Sequence, residues 1–134
     1  MLKSPLREES FDFGICIAAL HHLASHERRL QALISMSKSL KKGAKFLIFV
    51  WALEQGGSNK KNSLKRHELS IIDGDEQEVL VPWRSGSQET QMRYYHLFKE
   101  NELEGLFEES GAFSINSIQG GYDQGNWYVI GEKI

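Results

Sequence analysis

Phe11-Asp12-Phe13-Gly14-Ile15-Cys16-Ile17-Ala18-Ala19-Leu20-His21-His22 is an apolar run that stops abruptly at two histidines. Glycine, alanine and β-branched residues fill it with almost no polar alternation. That pattern predicts a strand covered on both faces, as parallel strands in α/β sheets are. Ligands of such sheets bind beyond the carboxyl ends of the strands, where His21 and His22 would sit.

Working outward, Ser25 can cap a helix reaching to about Leu40, with Glu27 at its positive end and Leu30, Leu33, Ile34 and Leu40 on one stripe. Lys41 and Lys42 suit the negative helix end, Gly43 supplies a left-handed stop, and Lys45 to Ala52 reads as a second strand. Strand, helix and strand make a right-handed crossover unit. From Gly56 to about Glu78 a glycine-rich start, a basic cluster and then acids are expected to form a flexible insertion. Val79 to Trp83 reads as a short extended piece. The aromatic stretch Met92 to Phe98 leads into a helix with Leu103, Leu106 and Phe107 on one side, opened by Glu100 and Glu102 and ended by Gly111. Phe113 to Ile118 and Trp127 to Ile130, joined across Gly120 to Gly125, predict a terminal antiparallel hairpin. Met1 to Ser10 is a polar lead-in, and no internal repeat is visible.

The 134 residues make one domain or part of one, with 40% hydrophobic and 25% charged residues. A net charge of −2 gives no global pull toward nucleic acid, so RNA contact requires a local basic patch. The single cysteine, Cys16, lies in the apolar strand and has no partner for a disulfide; this points to a reducing compartment and an inert thiol. No apolar run approaches the roughly 20 residues of a membrane span, and the first ten residues are too charged for a signal peptide. The expected location is cytoplasmic, with the nucleus as a second site, and no membrane is involved.

The order β-α-β, insertion, helix, hairpin is that of the second half of the class I (Rossmann-like) S-adenosylmethionine-dependent methyltransferase fold, an α/β architecture whose parallel sheet ends in an antiparallel strand. More specific words run along the chain: Ser10-Phe11-Asp12, Ile17-Ala18-Ala19-Leu20-His21-His22, Glu27-Arg28-Arg29, Val50-Trp51-Ala52-Leu53-Glu54-Gln55, Val81-Pro82-Trp83, Arg93-Tyr94-Tyr95-His96-Leu97-Phe98 and Tyr122-Asp123-Gln124-Gly125-Asn126-Trp127. Together they resemble the eukaryotic tRNA wobble-uridine carboxymethyl methyltransferases, including the methyltransferase domain of the AlkB-homologue tRNA enzyme. The resemblance implies methyl transfer from S-adenosylmethionine to the carboxylate of 5-carboxymethyluridine at the anticodon wobble position, with a small zinc-binding activator subunit as partner. In that family a glycine-rich turn and an acidic residue at the cofactor precede the segment matched here, and no G-x-G pattern stands near a strand start. Residues 1–134 therefore read as a partial methyltransferase domain, its carboxyl half. Two other readings stay open: a catalytically inactive fragment that binds RNA or the activator subunit, and a small-molecule carboxyl methyltransferase.

Methylating a carboxylate needs no strong base, because the nucleophile is already ionised at neutral pH; positioning must carry the rate. Arg93, set among Tyr94 and Tyr95, can hold a carboxylate bidentately, against the plainer reading that it pairs with a surface acid. His21 is expected to be an orienting hydrogen-bond donor beside Arg93, while His22 is the better candidate for capping or satisfying backbone carbonyls. Ala18, Ala19, Leu20 and His22 fall on the cofactor side by the resemblance. Trp51 and Trp83 can stack on a splayed-out uracil or pack in the core. Glu54 and Gln55 can hydrogen-bond the pocket or cap a turn, and Asn126 and Trp127 are read as fixing the closing hairpin. Lys60, Lys61, Lys65 and Arg66 can contact tRNA phosphates or simply be solvated. No metal site is expected, since nothing completes a ligand set around the histidine pair. Finally, the first strand is expected to be an open sheet edge, which predicts aggregation or dimerisation.

Overall fold

Ala44, Phe46, Ile48 and Val50 are buried while the residues between them are more exposed, and this alternation makes one strand the spine of the molecule. The computed structural model describes residues 4–54, 69–84, 86 and 89–134. That spine, β2 (Leu40–Trp51), lies parallel to β1 (Phe11–Ile17), and α1 (His26–Lys38) connects the two. The Ser25 hydroxyl accepts the Arg28 backbone N–H at 3.1 Å and caps α1 as its sequence predicts. A hairpin of β6 (Gln119–Asp123) and β7 (Asn126–Glu132) completes a four-stranded sheet of order β1-β2-β7-β6, with β7 antiparallel to both neighbours. A separate antiparallel sheet is formed by β3 (Ser70–Ile72), β4 (Asp75–Trp83) and β5 (Gln91–His96). It is stitched to the end of β2 by Phe98, whose N–H donates to the Trp51 carbonyl at 3.0 Å and whose carbonyl accepts the Leu53 N–H at 2.8 Å.

The second helix, α2 (Glu102–Ser110), ends at Gly111 with φ +66, the left-handed stop read from the sequence. Leu103, Leu106 and Phe107 from α2 and Leu33 from α1 join Phe46, Ile48, Val50, Phe113 and Val129 in the main core. No helix among the described residues is long and apolar enough to cross a membrane.

Several expectations are corrected. β1 is not covered on both faces: Phe13, Ile15 and Ile17 are more than half exposed, because among the described residues β1 is an edge strand and the helices pack on the opposite face. Helix α1 stops at Lys38, so Lys41, Lys42 and Gly43 belong to β2, with Lys41 paired to Asp12 at 3.1 Å. The stretch read as an insertion up to Glu78 contains β3 and the start of β4, joined at Asp73-Gly74 with φ of +51 and +74. Positive φ at both central residues is the type I′ turn that matches the twist of a hairpin, and Asp-Gly is its sequence signal. Gln124-Gly125, with φ of +47 and +85, makes the same turn between β6 and β7. Phe113 to Ile118 is not a strand but a bridge at Phe113 followed by a 3₁₀ turn, Ile115–Ser117; the first arm of the hairpin begins at Gln119. The rest of the expected insertion lies outside the described residues.

Candidate active site

The site begins where β1 ends. Ala18 N–H still donates to the Phe49 carbonyl at 3.0 Å, but Ala18 itself has φ +57, a left-handed conformation that costs a non-glycine residue about 1 kcal/mol or more. This step turns the chain off the sheet into a 3₁₀ turn, Leu20–His22. The backbone N–H of Trp51 is thereby left without a strand partner on that side, and His21 Nδ1 accepts it at 3.0 Å. With Nδ1 an acceptor, the neutral ring carries its proton on Nε2. His21 Nε2 is buried and has no protein partner. His21 has no exposed surface, and its pKa is lowered from 6.5 to about 3 by burial first, then by the neighbouring His22 and His96.

His22 faces outward by comparison. Its Nδ1–H donates to the Tyr94 carbonyl at 3.2 Å, which ties the 3₁₀ turn to β5. Burial, and then the positive charge of Arg93, lowers its pKa below the ordinary 6.5, so Nε2 presents a lone pair. Around the pair stand Tyr95, with ring centroids 4.8 Å from His21 and 4.3 Å from His22, and Trp51, stacked on Tyr95 at 4.2 Å and 11°. Arg93 is exposed on β5, its guanidinium carbon 4.1 Å from the centre of the Trp83 ring, and it hydrogen-bonds the Tyr95 hydroxyl. Burial raises the Tyr95 pKa despite that arginine. Among the described residues no carboxylate pairs with Arg93. A guanidinium held over an indole face retains in-plane N–H donors that can grip a carboxylate.

The structure thus brings together His21, His22, Trp51, Trp83, Arg93 and Tyr95. It does not bring the others to the same place. Glu54 accepts the Glu100 N–H at 3.0 Å and the Trp127 indole N–H at 3.4 Å, the capping role, while the Tyr122 hydroxyl donates to its carbonyl at 2.9 Å. Tyr94 turns its hydroxyl away to Glu78. Leu20 is in the main core, whereas Ala18 and Ala19 are exposed at the end of β1. Gln55, Lys60, Lys61, Lys65 and Arg66 lie outside the described residues. His21 needs the plainest correction: a side chain with no exposed surface cannot be the group that reaches a ligand in this conformation, and His22 occupies the accessible position. Among the described residues no group of three or more histidine, cysteine or acidic side chains is placed to hold a metal ion. Burial raises the Cys16 thiol pKa, which suits an unreactive thiol.

Stability should depend on pH through His21. In the unfolded chain it binds a proton below about pH 6.5, whereas in the fold it stays neutral down to about pH 3. The unfolded state therefore carries more protons throughout that window, and stability falls as pH drops from 6.5 toward 3. His21→Asn, whose amide oxygen can accept the Trp51 N–H without titrating, is expected to flatten melting temperature against pH between 6.5 and 4.5. An unchanged slope in thermal melts would show that another group sets it.

The Methyltransferase domain family matches residues 1–48. A solved S-adenosylmethionine-dependent methyltransferase from Methanosarcina mazei superposes with a TM-score of 0.61 at 21% identity, covering 98% of this chain and 63% of that one. The fold is therefore that of the class I S-adenosylmethionine-dependent methyltransferases. In sequence, the tRNA (carboxymethyluridine(34)-5-O)-methyltransferase of Schizosaccharomyces pombe is 36% identical over 98% of this chain and 61% of its own length. The alkbh8 tRNA (carboxymethyluridine(34)-5-O)-methyltransferase of Xenopus tropicalis is 33% identical over 99% of this chain and 28% of its own. By sequence the chain is similar to the tRNA carboxymethyluridine methyltransferases. It spans 61% of the length of the fission-yeast relative.

Proposed function

We propose that this chain forms the substrate-side part of an S-adenosylmethionine-dependent tRNA methyltransferase that esterifies the carboxylate of 5-carboxymethyluridine at the wobble position. The observation that carries the reading is the exposed Arg93, stacked on Trp83 and lacking a carboxylate partner among the described residues. Its fork binds the substrate carboxylate, and the exposed Trp83 indole walls a planar base, with the buried Tyr95 ring behind the arginine. The neutral His22 offers an acceptor at Nε2 beside them. His21 acts one layer down, fixing the end of β2 and hence the Trp51 ring.

The exposed Ala18-Ala19 step at the carboxyl end of β1 fits one side of the cofactor, because short side chains leave the backbone approachable there. S-adenosylmethionine, when bound, supplies the methyl group. A glycine-rich turn of the kind that holds its other side is not seen at a strand start in this sequence. The same reading takes in the basic residues Lys60, Lys61, Lys65 and Arg66 as contacts to tRNA phosphates, the zinc-binding activator subunit as partner, and the cytoplasm as the place of action.

Two measurements test it. Calorimetric titration with S-adenosylhomocysteine should give saturable binding, and its absence would favour a fragment that binds RNA or the activator without cofactor. Methyl transfer with the activator present should occur on tRNA bearing 5-carboxymethyluridine and not on small carboxylic acids. In that assay Arg93→Gln is expected to lower kcat/KM by about 10- to 100-fold, the worth of a charge-assisted pair. An unaltered rate would remove Arg93 from the site.

A further inference from the structure

Behind the cleft lies a cluster of charged side chains that the proposed chemistry does not use. His96, 5% exposed, sits between two carboxylates: Nδ1 is 3.0 Å from Glu78 Oε1 and Nε2 is 2.5 Å from Glu102 Oε2. Only the imidazolium has an N–H for each acceptor. The second Glu78 oxygen accepts the Tyr94 hydroxyl, and the second Glu102 oxygen accepts the Gln77 amide at 2.5 Å and the Lys99 N–H at 3.1 Å. The Gln77 amide also donates to the Leu97 carbonyl at 3.1 Å. Arg29 of α1, 4% exposed, lies in the field of both carboxylates and donates to the Leu23 carbonyl at 2.7 Å, one residue after the histidine pair. Burial pushes up the pKa of Glu102, yet its hydrogen bonds with His96, Lys99 and Gln77 bring it below the ordinary value, so the carboxylate stays ionised.

The cluster has a direction. Tyr94 and Tyr95 are adjacent on β5 and point to opposite faces. Tyr94 is held from behind by Glu78, and its carbonyl is held by His22; Tyr95 is thereby turned toward His21, His22 and Trp51. Arg93, two residues from Tyr95, shares its face. We propose that His96 is a positioning residue: by bridging Glu78 of β4 to Glu102 of α2 it fixes the roll of β5, and so aims Arg93 and Tyr95 at the histidine turn. Its consequence for carboxylate binding rests on the proposed function above, whereas the link to Tyr95 and Trp51 does not.

The chain labelled with 5-fluorotryptophan tests this by ¹⁹F NMR, since Trp51 stacks on Tyr95 while Trp127, in β7, hydrogen-bonds Glu54 and not His96, Glu78 or Glu102. In both His96→Gln and Tyr94→Phe the Trp51 resonance is expected to shift or broaden while that of Trp127 stays in place. If His96→Gln fails to fold, both resonances move, and Tyr94→Phe, which removes one hydroxyl, decides. An unmoved Trp51 resonance in a folded variant overturns the proposal. Adding 5-carboxymethyluridine should shift the Trp83 resonance of the wild-type chain, with binding about tenfold weaker in Tyr94→Phe. Equal affinity in the two proteins would overturn the aiming of Arg93. No shift in the wild type would sink the substrate reading alone, and the Trp51 result would then decide the positioning role by itself.

Discussion

Arg29→Ala is expected to be among the most damaging truncations of a charged residue in this fold, costing about 3–5 kcal/mol in urea unfolding. Glu78 and Glu102 both lie in the field of the buried guanidinium, and His96 stands between them, with one ring nitrogen on each carboxylate. Removing Arg29 takes a fixed positive charge from beside two partly buried carboxylates and strips the Leu23 carbonyl of its donor. Burial pulls the Arg29 pKa down while the field of Glu78 and Glu102 pulls it back up, so the two carboxylates offset a desolvation cost and do not add surplus stability. The damage comes from leaving the acids uncompensated. For that reason Arg29→Met, which keeps most of the stem, should be nearly as harmful as alanine, and Arg29→Met combined with Glu102→Gln should recover part of the loss. A domain of ordinary stability holds about 5–15 kcal/mol, so either single variant is expected to be close to unfolding at 37 °C. A loss below about 1 kcal/mol in Arg29→Ala would mean that the cluster is solvated in solution.

The purified chain is also expected to self-associate at micromolar concentration. Phe13, Ile15 and Ile17 are 52%, 60% and 58% exposed on one face of β1, beside an unpaired strand edge among the described residues. That face continues inward, because Ile15 pairs with Leu47 and Ile17 with Phe49, and Leu47 and Phe49 in turn face Ile130 and Tyr128 of β7. Burying one such side chain is worth about 1.5–3 kcal/mol, and an edge strand adds ready backbone donors and acceptors. Light scattering during gel filtration should show dimers or larger species that dissociate on dilution. Ile15→Lys with Ile17→Lys should shift the dissociation constant upward by at least about 100-fold, as two lost burials imply. A monodisperse wild-type monomer at high concentration would contradict the expectation.

The parts that could be read from the sequence are those with local signals. The Ser25 cap, the Leu30-Leu33 stripe and the glycine at position 111 mark their helices, and the second arm of the closing hairpin follows from its apolar run at Trp127 to Ile130, whereas the first arm, Gln119–Asp123, carries no such run. The three-stranded sheet was hidden because Asp73-Gly74, a hairpin turn, is surrounded by Asp75, Glu76 and Glu78, residues that are poor strand formers in isolation. Packing against Tyr95 and Leu97 through Val79 overrides that tendency. The site was legible in type: Arg93, Tyr95, Trp51, Trp83 and the histidines do meet. Their layering was not legible, since it depends on a left-handed alanine that no propensity would place at position 18. The cluster around His96 was invisible for another reason. Its members are drawn from α1, β4, β5 and α2, and no periodicity links residues so far apart in the chain.

His21-His22 looks like a repeated letter, yet the step at Ala18 makes the two positions obey different substitution rules. Position 21 is a rung: its ring nitrogen stands in for the backbone that β1 withdraws from Trp51, so a replacement must offer an acceptor at that point and survive without water. Position 22 is a threshold, with one nitrogen spent on β5 and the other turned outward. Exchange of side chains at the second position would alter what the cleft admits, and at the first whether the cleft has a floor.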